Sequence, residues 1–222
     1  MKYFVTCVLL LIIALCPAGS PAQTGADIKT SVDDLVGKHY FDGIPYQVAH
    51  ALGPEALPYL FELLGDPGRK PFWVNIIVTM GFVEDPSAVA RLIALLEDTQ
   101  GEVDSFTFRA LLSVPYALGC IAGGGDVKAL QYLADSVKAP PNVRWSFQGK
   151  PVADLIVEQS VMGLGISGRP EAWRLLTDLK AKGEEKTAAE AGTRFPGNVA
   201  QALALMDRIA TKGRPAVLNP KR

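Results

Sequence analysis

An apolar run that ends in a small residue, a large apolar residue and a glycine occurs four times in this chain. After each copy a second apolar run follows, set beside a Pro or a Gly/Asp turn. A unit of this kind cannot bury its apolar face alone and must pack against a neighbouring copy. The four steps are Ala51-Leu52-Gly53, Thr79-Met80-Gly81, Ala117-Leu118-Gly119 and Gly163-Leu164-Gly165.

The second run of each unit shows the repeat best. Residues 54–66 align without a gap on residues 86–98, which begin 32 positions later, and residues 127–133 and 170–176 are looser copies. Each copy keeps an alanine followed by large apolar residues at helical spacing. The alignment predicts four equivalent core positions: Leu60, Leu92, Leu133 and Leu176.

Proline and glycine mark the helix ends. Proline suits the first turn of a helix and glycine its end, so each pair reads as a tight antiparallel hairpin. The sequence predicts an all-α fold, an α-solenoid of about four hairpins over residues 45–211. Its last helix, residues 198–211, would act as a C-terminal capping helix. Residues 23–44 would hold a short leading helix at 30–36, and residues 212–222 a flexible tail, with negligible β-strand overall.

The Ala-Leu-Gly step, followed by Pro-Glu-Ala-Leu and Leu-Leu-x-Asp, resembles the HEAT-repeat superfamily. The closest branch is that of the short HEAT-like repeats also found in bilin lyases. The resemblance covers roughly residues 45–210. It implies that the second helices line the inner curve of the solenoid.

The first 22 residues read as a secretory signal peptide. Lys2 is their only charge, residues 8–15 are entirely apolar, and Ser20-Pro21-Ala22 offers small residues to a signal peptidase. We expect cleavage after Ala22 and a secreted or periplasmic protein; a bacterial host is favoured, and a secreted eukaryotic protein is the alternative. An envelope lipoprotein attached through Cys16 is the alternative, although Leu15 stands where such signals carry a small residue.

Charge and cysteine content constrain the partners. The chain has 22 basic and 23 acidic residues without a dense basic stripe, so we expect no nucleic-acid binding. Cleavage would remove Cys7 and Cys16, leaving Cys120 as the only thiol and excluding an intramolecular disulfide. Cys120 follows an apolar helix end, which favours a buried, inert thiol.

No catalytic motif accompanies the two histidines. His50 falls within a first helix, and this position favours a packed or half-buried residue. His39 could form a metal site or an acid–base pair with neighbouring aspartates, although solvated side chains explain the same residues. Those aspartates are Asp33, Asp34 and Asp42.

The glycine-rich segment 123–126 reads as a turn rather than a phosphate-binding loop, because no strand is predicted before it. We therefore predict no catalytic, cofactor or metal residues, and a protein that is not an enzyme. It would act as a scaffold for another protein or peptide. The alternative is a non-motif enzyme, or a lyase-like ligand-binding protein, built on the same repeats.

Matching outward positions on the second helices define a candidate binding stripe. Tyrosine and arginine are common interface anchors, and acidic neighbours favour a partner with basic groups. The stripe holds Tyr59, Arg91, Tyr132 and Leu175, flanked by Glu62, Asp135, Arg174 and Asp178.

Residues 139–151 contain three prolines and cannot form a regular helix. Two readings of this loop stay open. Its aromatic side chains either fold back onto the repeats or contact the partner, in which case Arg144 and Trp145 would be the anchors.

Overall fold

The computed structural model describes residues 25–41, 43–185 and 195–219. The expected signal peptide, with its cleavage site and Cys16, lies outside these residues, as does Asp42.

The described chain is mainly helical, which confirms the all-α prediction at the level of fold class. The α-helices are α1 Gly25–Val36, α2 Tyr46–His50, α3 Leu57–Gly65, α4 Trp73–Val83, α5 Ser87–Asp98, α6 Ser105–Gly123, α7 Val127–Lys138, α8 Ala153–Ser167, α9 Pro170–Glu185, α10 Phe195–Lys212 and α11 Arg214–Leu218. Two 3-10 helices, Pro54–Ala56 and Pro67–Phe72, precede α3 and α4.

Two sets of helices alternate along the described chain: α2, α4, α6 and α8 hold the first apolar runs, and α3, α5, α7 and α9 hold the second. The first helices contact one another in chain order, and α10 follows α8 in the same row. Leu60, Leu92, Leu133 and Leu176 are all fully buried, which confirms that each is a core residue. The alanine that begins each copy is buried too: Ala56, Ala88, Ala129 and Ala172.

The step glycines let neighbouring first helices approach closely. A Cβ added to Gly81 would lie 2.6 Å from the Cα of Ala117, and one added to Gly165 would lie 2.9 Å from the Cα of Ala202. At Gly119 the added atom would overlap the backbone of Gly163. In α4, α6 and α8 the step glycine thus packs against the equivalent small residue of the next helix in the row, whereas Gly53 meets only the Glu55 side chain.

The central helix α6 continues through Pro115 without interruption. Among the described helices it alone is long and apolar enough to cross a membrane, with a mean hydropathy of 1.3. Its neighbours α4 and α8 account for this apolar character, since 56% of that window is buried within the protein.

The predicted flexible tail is wrong for residues 214–218, which form α11. Val217 is buried, and the Arg214 side chain donates a 2.7 Å hydrogen bond to the Cys120 carbonyl and lies 3.0 Å from Glu84. These contacts fix the end of the described chain against the C-terminal ends of α4 and α6. The leading helix also differs from prediction, because α1 begins at Gly25 rather than Thr30.

Residues 139–151 form no helix, as predicted, and part of the expected loop forms two strands of a small sheet. The strands are β1 Gln100–Glu102, β2 Arg144–Phe147 and β3 Lys150–Pro151. β1 pairs parallel with β2, placing Gly101 opposite Trp145, and β2 pairs antiparallel with β3. Gln148 and Gly149 both have positive φ (52° and 71°), as a two-residue hairpin turn requires.

Candidate partner-binding surface

A groove of about 620 Å³ separates α3 from α5. Apolar and small residues line it, and Glu62 and Arg91 are its charged residues. The Arg91 guanidinium lies 5.9 Å from the centroid of the Phe61 ring, within the range of a cation–π contact. The groove is lined by Pro58, Phe61, Glu62, Ser87, Ala90, Arg91 and Ala94.

Glu62 remains accessible at this groove. Its carboxylate lies 3.5 Å from the Lys29 ammonium on α1, and both side chains are more than half exposed. An ion pair this exposed contributes little to stability and exchanges readily for another cation. Glu62 and Arg91 therefore offer charges of opposite sign beside an apolar surface.

A second groove, of about 370 Å³, lies between α7 and α9. Two residues of the proposed binding stripe, Leu175 and Asp178, line it. Asp135 on α7 accepts hydrogen bonds from the Gln131 amide and from Lys138, and these contacts lower the pKa of the Asp135 carboxyl. Arg174 is exposed on α9.

Tyr59 does not form part of a free stripe. Its hydroxyl donates a 2.7 Å hydrogen bond to Asp33, and the Lys29 ammonium lies 4.7 Å from the ring centroid, so α1 covers this residue. The bond to Asp33, and then burial, raise the pKa of the Tyr59 phenol. Asp33 also lies 3.1 Å from the Arg69 guanidinium, so its carboxylate contacts both Tyr59 and Arg69.

Tyr132 is half-buried rather than outward-facing. Burial, and then the nearby Glu97 carboxylate, raise the pKa of its phenol. The predicted line of four outward anchors is therefore interrupted at two of its positions. Glu62 and Arg91 form one accessible segment, and Leu175 and Asp178 form the other.

Trp145 is a core residue, so its prediction as a partner anchor is wrong. Only 3% of it is exposed, and its indole N–H donates a 3.1 Å hydrogen bond to the Leu96 carbonyl. Phe147, on the same strand, stacks on Phe108 with ring centroids 4.0 Å apart. Of the two readings of this loop, folding back onto the helices is the observed one. Arg144 is exposed at the start of β2.

Sequence reasoning missed Phe61 and Ala90 as groove residues. Phe61 continues the helical spacing of the α3 core leucines, a pattern that favours the packed face. The structure leaves it half-exposed, below Arg91 of the next copy. The gapless alignment carried a usable signal, because small residues recur along one side of α5 at Ala90 and Ala94.

The remaining chemistry-bearing residues form no cluster. Within residues 25–41, 43–185 and 195–219, no group of three or more His, Cys, Asp or Glu side chains could hold a metal ion. His50 is exposed rather than packed, with Nδ1 2.9 Å from the Phe82 carbonyl and its ring stacked on Tyr46. Cys120 is fully buried as predicted, and burial raises the pKa of its thiol to about 12.

The glycine-rich segment at 123–126 is a turn, as predicted. Asp126 caps α7 by accepting a 2.6 Å hydrogen bond from the Ala129 amide. Comparisons with protein-family models, curated proteins and solved structures found no match for this chain.

Proposed function

We propose that this protein is an exported HEAT-like solenoid that acts as a scaffold and holds another protein or peptide on its second helices. The ordered contacts between first helices and the repeated burial of one leucine per second helix support this architecture. Stacked pairs of this kind leave one face of each second helix available to a partner.

The groove between α3 and α5 is the observation that carries the proposal. Its apolar lining supplies contact area, while Arg91 and Glu62 fix the orientation of a bound segment through opposite charges. The partner segment would place a basic group at Glu62 and an acidic group at Arg91, with an apolar side chain between them.

Filling the groove tests this function. Ala90 is exposed and lines the groove, so Ala90→Arg would place a long side chain where the partner lies. Ala200→Arg is the matched control, because Ala200 is an exposed alanine on α10 outside both grooves. In affinity capture from the exporting cell, we expect the same partner with the wild type and the control but not with Ala90→Arg. Undiminished capture by Ala90→Arg would exclude this groove.

Export requires its own test. We propose cleavage after Ala22, so mass spectrometry of the mature protein should find Gln23 at its N-terminus. A mature protein that begins with lipid-modified Cys16 would instead place it at the envelope.

A further inference from the structure

A separate cleft of about 340 Å³ lies where the segment after α1 meets the starts of α4 and α6. The 3-10 helix Pro67–Phe72 forms another of its sides. A volume of this size lies at the lower end of the range of pockets that hold small molecules. The two grooves described above share no lining residue with it.

Aromatic side chains form much of the cleft. Tyr40, Phe72 and Phe106 line it, and the rings of His39 and Phe72 are 5.8 Å apart between centroids. Phe106 is 40% exposed, which is unusual for a large apolar side chain in this structure. An exposed aromatic side chain at the wall of a cleft offers a surface on which a planar ligand can stack.

The charged residues that line the cleft are cationic. Lys38 and Arg109 are exposed, and among the described residues no carboxylate forms an ion pair with either. Arg109 donates to the Ser105 carbonyl on its own helix, and its guanidinium lies 5.3 Å from the Phe106 ring centroid. Burial, and then the Asp34 carboxylate, raise the pKa of the Tyr40 phenol.

Other nearby charges are already paired. Asp104, which caps α6, lies 2.8 Å from the Lys70 ammonium, and this contact is the main cause that lowers the pKa of Asp104 to about 2. The Asp104–Lys70 pair has no net charge, so it does not offset the positive charge of Lys38 and Arg109. The cleft therefore keeps two unneutralised cations beside an aromatic wall.

Hydrogen bonds hold the wall that carries Lys38 in place. The Asn75 side-chain amide donates to the carbonyls of Val36 (2.8 Å) and Lys38 (2.9 Å), and the Tyr40 hydroxyl donates to the Leu35 carbonyl. The two Asn75 bonds tie the end of α1 and the segment after it to α4, and the Tyr40 bond ties this segment to α1. A wall fixed before binding loses less conformational entropy when a ligand arrives.

We propose that this cleft binds a small anionic ligand that carries an aromatic ring. The ring packs against Phe72 and Phe106, and the anionic group lies near Lys38 and Arg109. An aromatic carboxylate is the simplest ligand of this chemistry.

Binding of 2-naphthoate to the purified full chain, measured by calorimetry and by amide chemical-shift changes, tests the proposal. The neutral analogue 2-naphthamide has the same ring system without the charge and should bind about tenfold more weakly. Arg109→Gln and Lys38→Gln should each weaken naphthoate binding by about two- to fivefold and leave naphthamide unchanged. Phe106→Ala should weaken both ligands by about three- to tenfold.

Arg208→Gln is the matched control, since Arg208 is an exposed arginine on α10. It should leave the affinity for naphthoate unchanged, and all variants should keep the wild-type melting temperature. Equal affinity for the acid and the amide, or full affinity in the Lys38→Gln/Arg109→Gln double variant, would overturn the proposal. So would binding only of an acidic aromatic peptide, which would assign the cleft to a protein partner instead.

Discussion

The Arg214 guanidinium lies 3.0 Å from the Glu84 carboxylate, and both side chains are largely buried, with 15% and 11% exposed. Glu84 ends α4 in a left-handed conformation (φ 59°) that usually favours glycine. Its carboxylate also accepts a hydrogen bond from the Tyr46 hydroxyl, while Arg214 donates to the Cys120 carbonyl. This pair joins the end of the described chain to α2, α4 and α6.

Arg214→Met should lower the free energy of unfolding by about 3–5 kcal/mol, because it leaves the Glu84 carboxylate buried without its cation. Urea denaturation measures this change. Arg208→Met, at an exposed position on α10, is the control and should cost less than about 0.5 kcal/mol. Similar losses in the two variants would show that the buried pair adds nothing to stability.

Gly119→Ala should destabilise the protein by about 1–3 kcal/mol, since the new methyl group would overlap the backbone of Gly163. Gly65→Ala is the contrasting substitution. Gly65 ends α3 with no atom within 4 Å of an added Cβ, so alanine should be neutral or stabilise by up to about 1 kcal/mol. Thermal unfolding of the two variants compares the effects directly. Equal effects would contradict the close packing of α6 on α8.

Leu92→Ala should cost about 2–5 kcal/mol, because Leu92 is fully buried and its removal leaves a cavity. Arg91→Ala changes the adjacent, exposed position on α5 and should cost less than about 0.5 kcal/mol. Chemical denaturation of both variants tests the register of the helix. The reverse order of these losses would show that the repeat alignment is wrong.

Stability should also fall in alkali because of Cys120. Burial raises the pKa of its thiol from 9.0 to about 12, so the folded state holds this proton more tightly than the unfolded state. The stabilisation that this thiol proton provides is fully present below pH 9. As the pH rises from 9 toward 12, the free energy of unfolding falls by up to about 1.4 kcal/mol per pH unit. Cys120→Ala should reduce the slope of unfolding free energy between pH 9 and 10. An unchanged slope in the variant would show that titrating groups other than Cys120 cause the loss of stability in alkali.

The sequence predicted the local periodicity well, and the long-range contacts less well. Leu60 and Leu92 could be identified because each core position depends on residues within its own helix. Trp145 could not be placed, because its position depends on β2 pairing with β1, whose residues lie more than forty positions earlier. A propensity for helix or strand carries no information about such a pairing.

The ends of the repeat region were also hard to predict. The segment after Gly213 lacks helical periodicity, and α11 depends on Arg214 meeting Glu84 across the fold. Tyr59 occupies the register position of exposed Arg91, yet α1 covers only Tyr59. Positions that are equivalent by alignment therefore differ in accessibility when one of them faces an element outside the repeat.

The small-residue step recurs in α10 as Ala202-Leu203-Ala204, with alanine where α4, α6 and α8 carry glycine. Ala202 packs closely against Gly165 of α8, whereas Ala204 is exposed. A further helix approaching α10 as closely as α10 approaches α8 would meet a methyl group instead of bare backbone. The exposed side of α10 therefore carries a methyl group at Ala204, the position that corresponds to the glycine by which α8 contacts α10.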